Sequence, residues 1–317
     1  MKIALLEEKT VSTGDISTAG FDALGEVSRY PLTPQEKVIE RTSGCDAVII
    51  NKTVFSDEVI SACEGLRYIG LCATGYNNVD LASASRHGIV VTNVPAYSTN
   101  AVAEQVFAYI MHFAKRVNDF SGLVHDGGWI RSDTFSMFDF PTYELFGKTL
   151  GIVGLGSIGT AVARIGRAFG MRVLAAVHTA KTSDIAEITD IETVFSESDF
   201  VSLHCPLTPQ TEKLVGMKLM SLCKPSAVLI NTSRGPVVDI DDLASALKSG
   251  MIAGAALDVI PREPMEDGFP LLGLGNCIIT PHTGWAPRET RERLLDIAVD
   301  NLRSFIGGNI KNNVNEV

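Results

Sequence analysis

The chain is short of features that would place it outside a cell or in a membrane. Its six cysteines (Cys45, Cys63, Cys72, Cys205, Cys223 and Cys277) show no CxxC and no paired spacing. Neither a disulfide framework nor a zinc site is expected from them, and they read as free thiols in a reducing cytoplasm. No stretch approaches the ~20 apolar residues of a membrane span. The start, Met1-Lys2-Ile3-Ala4-Leu5-Leu6-Glu7-Glu8, has four apolar residues before two acids, too few for a signal-peptide core. Positive charge is in deficit: 27 Lys and Arg stand against 37 Asp and Glu, a net charge of −10. That argues against a nucleic-acid partner, which needs a basic face. Internal repeats and low-complexity tracts are absent as well.

What the chain does have is length and alternation. Its 317 residues suit two domains of roughly 100–200 residues each. Apolar content of 45 % with 20 % charged residues is that of an ordinary globular protein. Short apolar runs alternate with helix-like segments from end to end, the α/β signature. Strands are expected at Ile3–Leu6, Ala47–Ile50, Tyr68–Leu71 and Ile89–Thr92. A second series is expected at Leu150–Gly154, Val173–Val177, Phe200–Leu203, Ala227–Ile230, Ala253–Leu257 and Cys277–Ile279. Six strands in that series fit a doubly wound Rossmann sheet. Helix signals lie between them: Ser157–Phe169 stopping at Gly170, a capping box at Thr189-Asp190-Ile191-Glu192, and Asp239 before a helix ending at Gly250.

Two longer helices carry apolar stripes at spacings of three or four. One runs through Val102, Val106, Ile110, Phe113 and Val117, the other through Leu295, Ala298, Leu302 and Phe305. The second has no strand after it and is expected to fold back onto the first domain. The expected fold class is therefore α/β: two Rossmann-like, doubly wound parallel-sheet domains with a cleft between them. Residues 1–99 plus 286–317 form a flavodoxin-like substrate domain, and residues 100–285 a dinucleotide-binding domain. The aromatic-rich segment 118–147 reads as a dimerisation arm, or as a surface loop packed on its own chain.

Gly154-Leu155-Gly156-Ser157-Ile158-Gly159 follows an apolar strand and opens a helix. In that context the first glycine allows a tight turn, the second lets backbone approach a pyrophosphate, and the third lets the helix pack on the sheet. The helix start, with Ser157 and Ile158, offers free N–H groups and partial positive charge to phosphates. The next strand ends at Val177, about 20 residues past Gly159, where an acid normally binds the ribose 2′-OH. Here the segment reads Val177-His178-Thr179-Ala180-Lys181, with no carboxylate before Asp184. Nothing there repels a 2′-phosphate, and His178, Thr179 and Lys181 could bind one. NAD(H) or NADP(H) is expected, with NADP(H) accepted. Cys205, Pro206 and Thr232 are further cofactor candidates. His87, His112, His125 and His204 have no such context and read as structural or surface residues.

Three later motifs supply a guanidinium, a carboxylate and an imidazole: Asn231-Thr232-Ser233-Arg234-Gly235, then Leu257-Asp258-Val259 with Glu263-Pro264, then Thr280-Pro281-His282-Thr283-Gly284-Trp285. These are the groups needed to move a hydride and a proton to a 2-keto acid. With Ala73-Thr74-Gly75-Tyr76-Asn77-Asn78-Val79-Asp80 and the glycine turn, the chain resembles the D-isomer-specific 2-hydroxyacid dehydrogenases over nearly its whole length.

The resemblance implies that Arg234, Glu263 and His282 are the catalytic set. Arg234 would hold a carboxylate or keto oxygen through its planar fork and favour the charge developing on oxygen. His282 would give the proton in reduction and take it in oxidation. Glu263 would orient the ring and favour its protonated form. The resemblance further implies carboxylate-binding backbone at Thr74-Gly75, and Asp258 near the nicotinamide carboxamide. Trp285, three residues after the histidine, resembles glycerate dehydrogenases, also called hydroxypyruvate reductases. A bulky indole there favours a small acid: hydroxypyruvate/D-glycerate or glyoxylate. The chain also ends at Val317 without the regulatory domain of many phosphoglycerate dehydrogenases. D-lactate dehydrogenase and a dinucleotide-sensing corepressor remain the alternatives. The partners implied are the small acid and a second copy of the chain as a homodimer, with no metal.

Overall fold

A computed structural model describes residues 1–179 and 182–316. The chain divides into two compact units, Met1–Ser98 with Trp285–Val317, and Thr99–Gly284. Both are parallel α/β, as the alternating pattern predicts.

The first unit holds, among the described residues, five strands: β1 (Lys2–Leu5), β2 (Glu26–Arg29), β3 (Ala47–Ile50), β4 (Tyr68–Leu71) and β5 (Val90–Thr92), all parallel in the order β2-β1-β3-β4-β5. Consecutive side chains of a strand point to opposite faces. Ile3, Leu5, Ala47, Ile49 and Tyr68 therefore enter one core, and Ala4, Val48, Ile50, Ile69 and Leu71 the other. The C-terminal helix, Arg288–Ile306, covers the first face with Leu294, Leu295, Ala298 and Leu302. Beyond it the chain runs antiparallel along β5, where Val314 N–H donates to Val91 O at 2.9 Å and Asn315 Oδ1 accepts from Val91 N–H at 2.8 Å. That sheet edge is thereby covered and not offered to other chains. At the switch between β1 and β3, Glu7 Oε2 accepts N–H bonds from Asn51, Lys52 and Thr53, each at 2.8 Å.

In the second unit the described residues form seven parallel strands: β6 (Thr149–Val153), β7 (Arg172–Ala176), β8 (Glu187–Thr189), β9 (Phe200–Leu203), β10 (Val228–Asn231), β11 (Gly254–Leu257) and β12 (Cys277–Ile279). Their order, β12-β11-β10-β9-β6-β7-β8, is the doubly wound one with its reversal between β6 and β9. Helices Thr99–Lys115 and Ser157–Ala168 cover one face; Ile191–Glu197 and Ile240–Ser249 cover the other.

The structure corrects the sequence expectations at several points. Two edge strands, β2 and β8, were not expected, because Glu26-Val27-Ser28-Arg29 and Glu187-Ile188-Thr189 lack the apolar runs of buried strands. Val117 is off the stripe and 67 % exposed, since Arg116 turns left-handed (φ 51°) and ends the first long helix at Lys115. Thr189 lies at the end of β8, so there is no capping box. Asp190 alone caps the helix Ile191–Glu197, accepting Thr193 N–H at 2.7 Å.

One histidine makes this fold sensitive to acid. His204, just after β9, is partly buried, with Ser202 Oγ 2.8 Å from its Nε2. Burial pushes its pKa down to about 3. The unfolded chain binds a proton there from ~6.5 downward while the folded one does not, so stability falls with pH between ~6.5 and about 3. Denaturant midpoints measured across pH 7 to 4 should show a shallower acid limb for His204→Gln than for the parent. Superimposable limbs would remove His204 from this role.

Candidate active site

The glycine turn at the end of β6 is held by contacts that only glycine permits. Gly154 has φ 94°, and a Cβ there would stand 2.8 Å from both His204 C and Cys205 N. A Cβ on Gly159 would stand 2.2 Å from Gly154 O, so its absence lets the helix Ser157–Ala168 sit against the turn. Gly156 differs: a Cβ there meets nothing within 4 Å among the described residues. It is the N-cap of that helix, with no side-chain cap. The helix start, including Ser157 and Ile158, thus faces open space with N–H groups and the positive end of the helix dipole.

Nearby strand ends add to this. Cys205 is buried, and burial raises its thiol pKa, so it supplies bulk and not a thiolate. Pro206 is exposed, and its carbonyl accepts Thr211 Oγ1–H at 2.6 Å. Thr232 Oγ1 is buried without a hydrogen-bond partner among the described residues, a hydroxyl available to a ligand. An uncapped helix start and an open glycine after β6, with an orphaned hydroxyl after β10 two strands away in the same sheet, fit a dinucleotide. His178 and Thr179 are exposed just past β7. Lys181 lies outside the described residues.

β10, β11 and β12 are neighbours, so the loops leaving their C-terminal ends are neighbours too. Arg234 follows β10. Its turn is clamped by Asn231, which is fully buried: Nδ2 donates to Arg234 O at 2.9 Å, and Oδ1 accepts from Ser233 N–H and Oγ–H. Arg234 Nη1 donates to Ser233 O at 2.8 Å. A Cβ on Gly235 would stand 2.0 Å from Ile260 C. That glycine lets the loop after β11 close upon the Arg234 turn.

The same loop carries Glu263, whose bond to Pro264 is cis. Glu263 Oε1 accepts Ile260 N–H at 3.2 Å, and Oε2 lies 2.7 Å from His282 Nδ1. Both side chains are partly exposed, 32 % and 26 %. Nδ1 is thus the nitrogen held by the carboxylate, and Nε2 is left to exchange a proton with a ligand. His282 itself has φ 55°, a left-handed conformation uncommon outside glycine and costly to hold.

Asp258, 3 % exposed, fixes that loop. Its Oδ1 accepts from Thr280 Oγ1–H (2.6 Å) and Thr283 N–H (2.8 Å), its Oδ2 accepts from Gly284 N–H (2.8 Å), and its carbonyl accepts from His282 N–H (2.9 Å). Sequence reasoning missed this role, because the partners lie 22–26 residues away along the chain.

The first unit carries the remaining candidates. Thr74 is exposed; its Oγ1 donates to Val94 O at 2.9 Å, and its carbonyl accepts Asn93 Nδ2–H at 2.7 Å. Gly75 is partly buried. Trp285 packs edge-on against Tyr97, with ring centroids 6.3 Å apart. Tyr97 was not singled out from sequence; its only signal there is a large aromatic side chain just ahead of a helix. Among the described residues no group of three His, Cys, Asp or Glu is arranged to hold a metal, and no helix is long and apolar enough to cross a membrane.

Comparison with known proteins identifies the family. Residues 107–284 match the NAD-binding domain model of the D-isomer-specific 2-hydroxyacid dehydrogenases. The chain belongs to that family. It is 41 % identical to a hydroxypyruvate reductase of Blautia hydrogenotrophica, over all of both chains. It is 36 % identical to a glycerate dehydrogenase of Methylorubrum extorquens, over 98 % of each. Among solved structures, an acyclic imino acid reductase in complex with NADPH and D-Arg superposes with a TM-score of 0.89 at 31 % identity, covering 99 % of this chain and 100 % of that one. The family and this neighbour indicate a nicotinamide cofactor.

The glycines separate folding from cofactor binding. Gly159→Ala forces backbone apart and should lower the melting temperature. Gly156→Ala should fold like the parent yet bind the dinucleotide at least about tenfold more weakly, because its methyl group occupies the pyrophosphate's approach. Thermal melts alongside dinucleotide fluorescence titrations check both. Equal dinucleotide affinity in Gly156→Ala and the parent would count against this placement of the phosphates.

Proposed function

We propose that this protein is a nicotinamide-dependent reductase of small 2-keto acids, with hydroxypyruvate/D-glycerate or glyoxylate as its acid pair. The observation that carries the proposal is the His282–Glu263 pair at 2.7 Å, which joins the loop after β12 to the loop after β11 that closes upon the Arg234 turn. Bound nicotinamide supplies or accepts the hydride. Arg234 takes the acid's carboxylate or keto oxygen, and its charge favours the alkoxide as it forms. His282, protonated in reduction, delivers its Nε2 proton to that oxygen; in oxidation Nε2 takes the proton back. Glu263 holds Nδ1–H and stabilises the imidazolium. Thr74 and Gly75 offer backbone donors to the carboxylate, Asp258 lies by the carboxamide, and Trp285 limits the acid's length. The similarity to a hydroxypyruvate reductase and a glycerate dehydrogenase supports this choice of acid.

We assign the cofactor as NAD(H) or NADP(H), with NADP(H) accepted. Val177-His178-Thr179 carries no carboxylate to repel a 2′-phosphate, and a structural neighbour holds NADPH. We also propose a homodimer joined through the segment 118–147. Ile130, Phe135 and Phe138 there are about nine-tenths exposed, more apolar surface than an isolated chain ordinarily leaves in water. Free cysteines suit a cytoplasmic site.

Initial rates on hydroxypyruvate, glyoxylate and pyruvate, each with NADH and with NADPH, test the reading. Hydroxypyruvate or glyoxylate should be reduced fastest. Preference for pyruvate would make the protein a D-lactate dehydrogenase. Tight NADH binding without turnover of any of the three would favour a dinucleotide sensor. NADPH bound more than about tenfold weaker than NADH would overturn the cofactor assignment. Arg234→Ala and His282→Gln should each cost about 10² to 10⁴ in kcat/KM with little change in melting temperature.

A further inference from the structure

The loop that carries His282 is tied to the long helix Thr99–Lys115 by one phenol. Tyr109, on that helix, is 3 % exposed, and its hydroxyl meets Thr280 Oγ1. Thr280 Oγ1 lies 2.6 Å from Asp258 Oδ1. A hydroxyl has one proton to give. Thr280 gives its proton to the carboxylate, so it accepts at the other side, and Tyr109 is the donor. The hydrogen bonds thus converge on Asp258: Tyr109 O–H donates to Thr280, Thr280 O–H donates to Asp258, and Asp258 also accepts from the backbone N–H groups of His282, Thr283 and Gly284. Burial raises the Tyr109 pKa, which keeps the phenol a donor at neutral pH.

Space around the carboxylate is already tight. A Cβ on Gly284 would stand 2.9 Å from Asp258 Oδ2 and 3.5 Å from Gln105 Cγ. Asp258 therefore has little room to rotate, and the position of Thr280 decides which of its lone pairs are free for the two loop amides. His282 occupies a left-handed conformation, φ 55°, uncommon outside glycine. The loop must be held from outside for the ring to keep its place against Glu263.

We propose that Tyr109 is a positioning residue for His282, acting through Thr280 and Asp258 to hold the histidine's backbone in its left-handed conformation. This rests on the reading of His282 as the proton donor and acceptor. Tyr109 touches neither acid nor cofactor in this role. It sets the direction in which the imidazole presents Nε2.

Tyr109→Phe keeps the ring and deletes only the donor. With hydroxypyruvate it should lower kcat about tenfold, the scale of one lost buried hydrogen bond, while KM and dinucleotide affinity change less than about twofold. Thr280→Ser preserves the relay and should stay near the parent. Thr280→Val should lose at least as much as Tyr109→Phe, and the double variant Tyr109→Phe/Thr280→Val no more than Thr280→Val alone, because the two act as one chain. Ring NMR resonances of His282, assigned by loss in His282→Gln, should move in Tyr109→Phe and in Thr280→Val but not in Thr280→Ser. That readout needs no turnover. If the parent reduces no 2-keto acid, the proposed function falls, and the resonances still decide the relay. Unmoved His282 resonances in Tyr109→Phe, or losses that add in the double variant, would overturn it.

Discussion

One buried carboxylate, Asp258, binds the site's parts into a unit. Its backbone N–H donates to Asn231 O at 2.9 Å, which ties β11 to the strand end that launches the Arg234 turn. Its side chain and carbonyl take four donors from the loop after β12. An ionised carboxylate buried without partners would cost several kcal/mol. Here three donors compensate the charge, and all three belong to the histidine's loop. The cost of burying Asp258 is offset only while that loop is in place. Folding of the strand ends and assembly of the site are thus the same event.

The parallel sheet decides where this can happen. Every strand of the second unit points the same way, so each C-terminal end opens into a loop at one edge. The order β12-β11-β10 sets the His282, Glu263 and Arg234 loops side by side, although 48 residues of sequence, from 234 to 282, separate the outer two. Two steric facts then close the distances. Gly235 lets the Ile260–Pro261 backbone approach the Arg234 turn, and Gly284 lets Asp258 fill the space beneath the histidine. A side chain at either position would separate loops whose contact the proposed chemistry requires.

How much of this was legible in sequence follows from what each feature depends on. Interior strands such as Ala47–Ile50 and Phe200–Leu203 are buried on both faces, and continuous apolar runs betray them. β2 and β8 are edges with a single neighbour, so Glu26-Val27-Ser28-Arg29 and Glu187-Ile188-Thr189 carry no such run. The glycine turn was legible from its place between a strand and a helix, and Arg234, Glu263 and His282 were singled out through the motifs that carry the family resemblance. The supports of that trio were not. Gly235, Tyr109 and Thr280 act through space on partners that no periodicity connects. Tyr109 leaves one faint trace: it puts a hydroxyl on a helix buried along Val102, Val106 and Ile110, and a buried hydroxyl requires a partner.

The backbone of His282 explains why so many groups converge on one loop. Glycine would adopt φ 55° freely but would bring no imidazole; histidine brings the imidazole and resists the conformation. In the proposed reaction the ring must meet Glu263 at Nδ1 and a substrate oxygen at Nε2, two directions fixed by one dihedral setting. A relaxed histidine would satisfy the backbone and misdirect the ring. In that proposed role the strain is tolerated where it aims the proton, and it is held by neutral donors and the Asp258 acceptor, which do no chemistry themselves. Removing any of them leaves Arg234, Glu263 and His282 present and puts their alignment at risk. Loss of such a support should therefore appear as a slower proton transfer before it appears as a weaker fold.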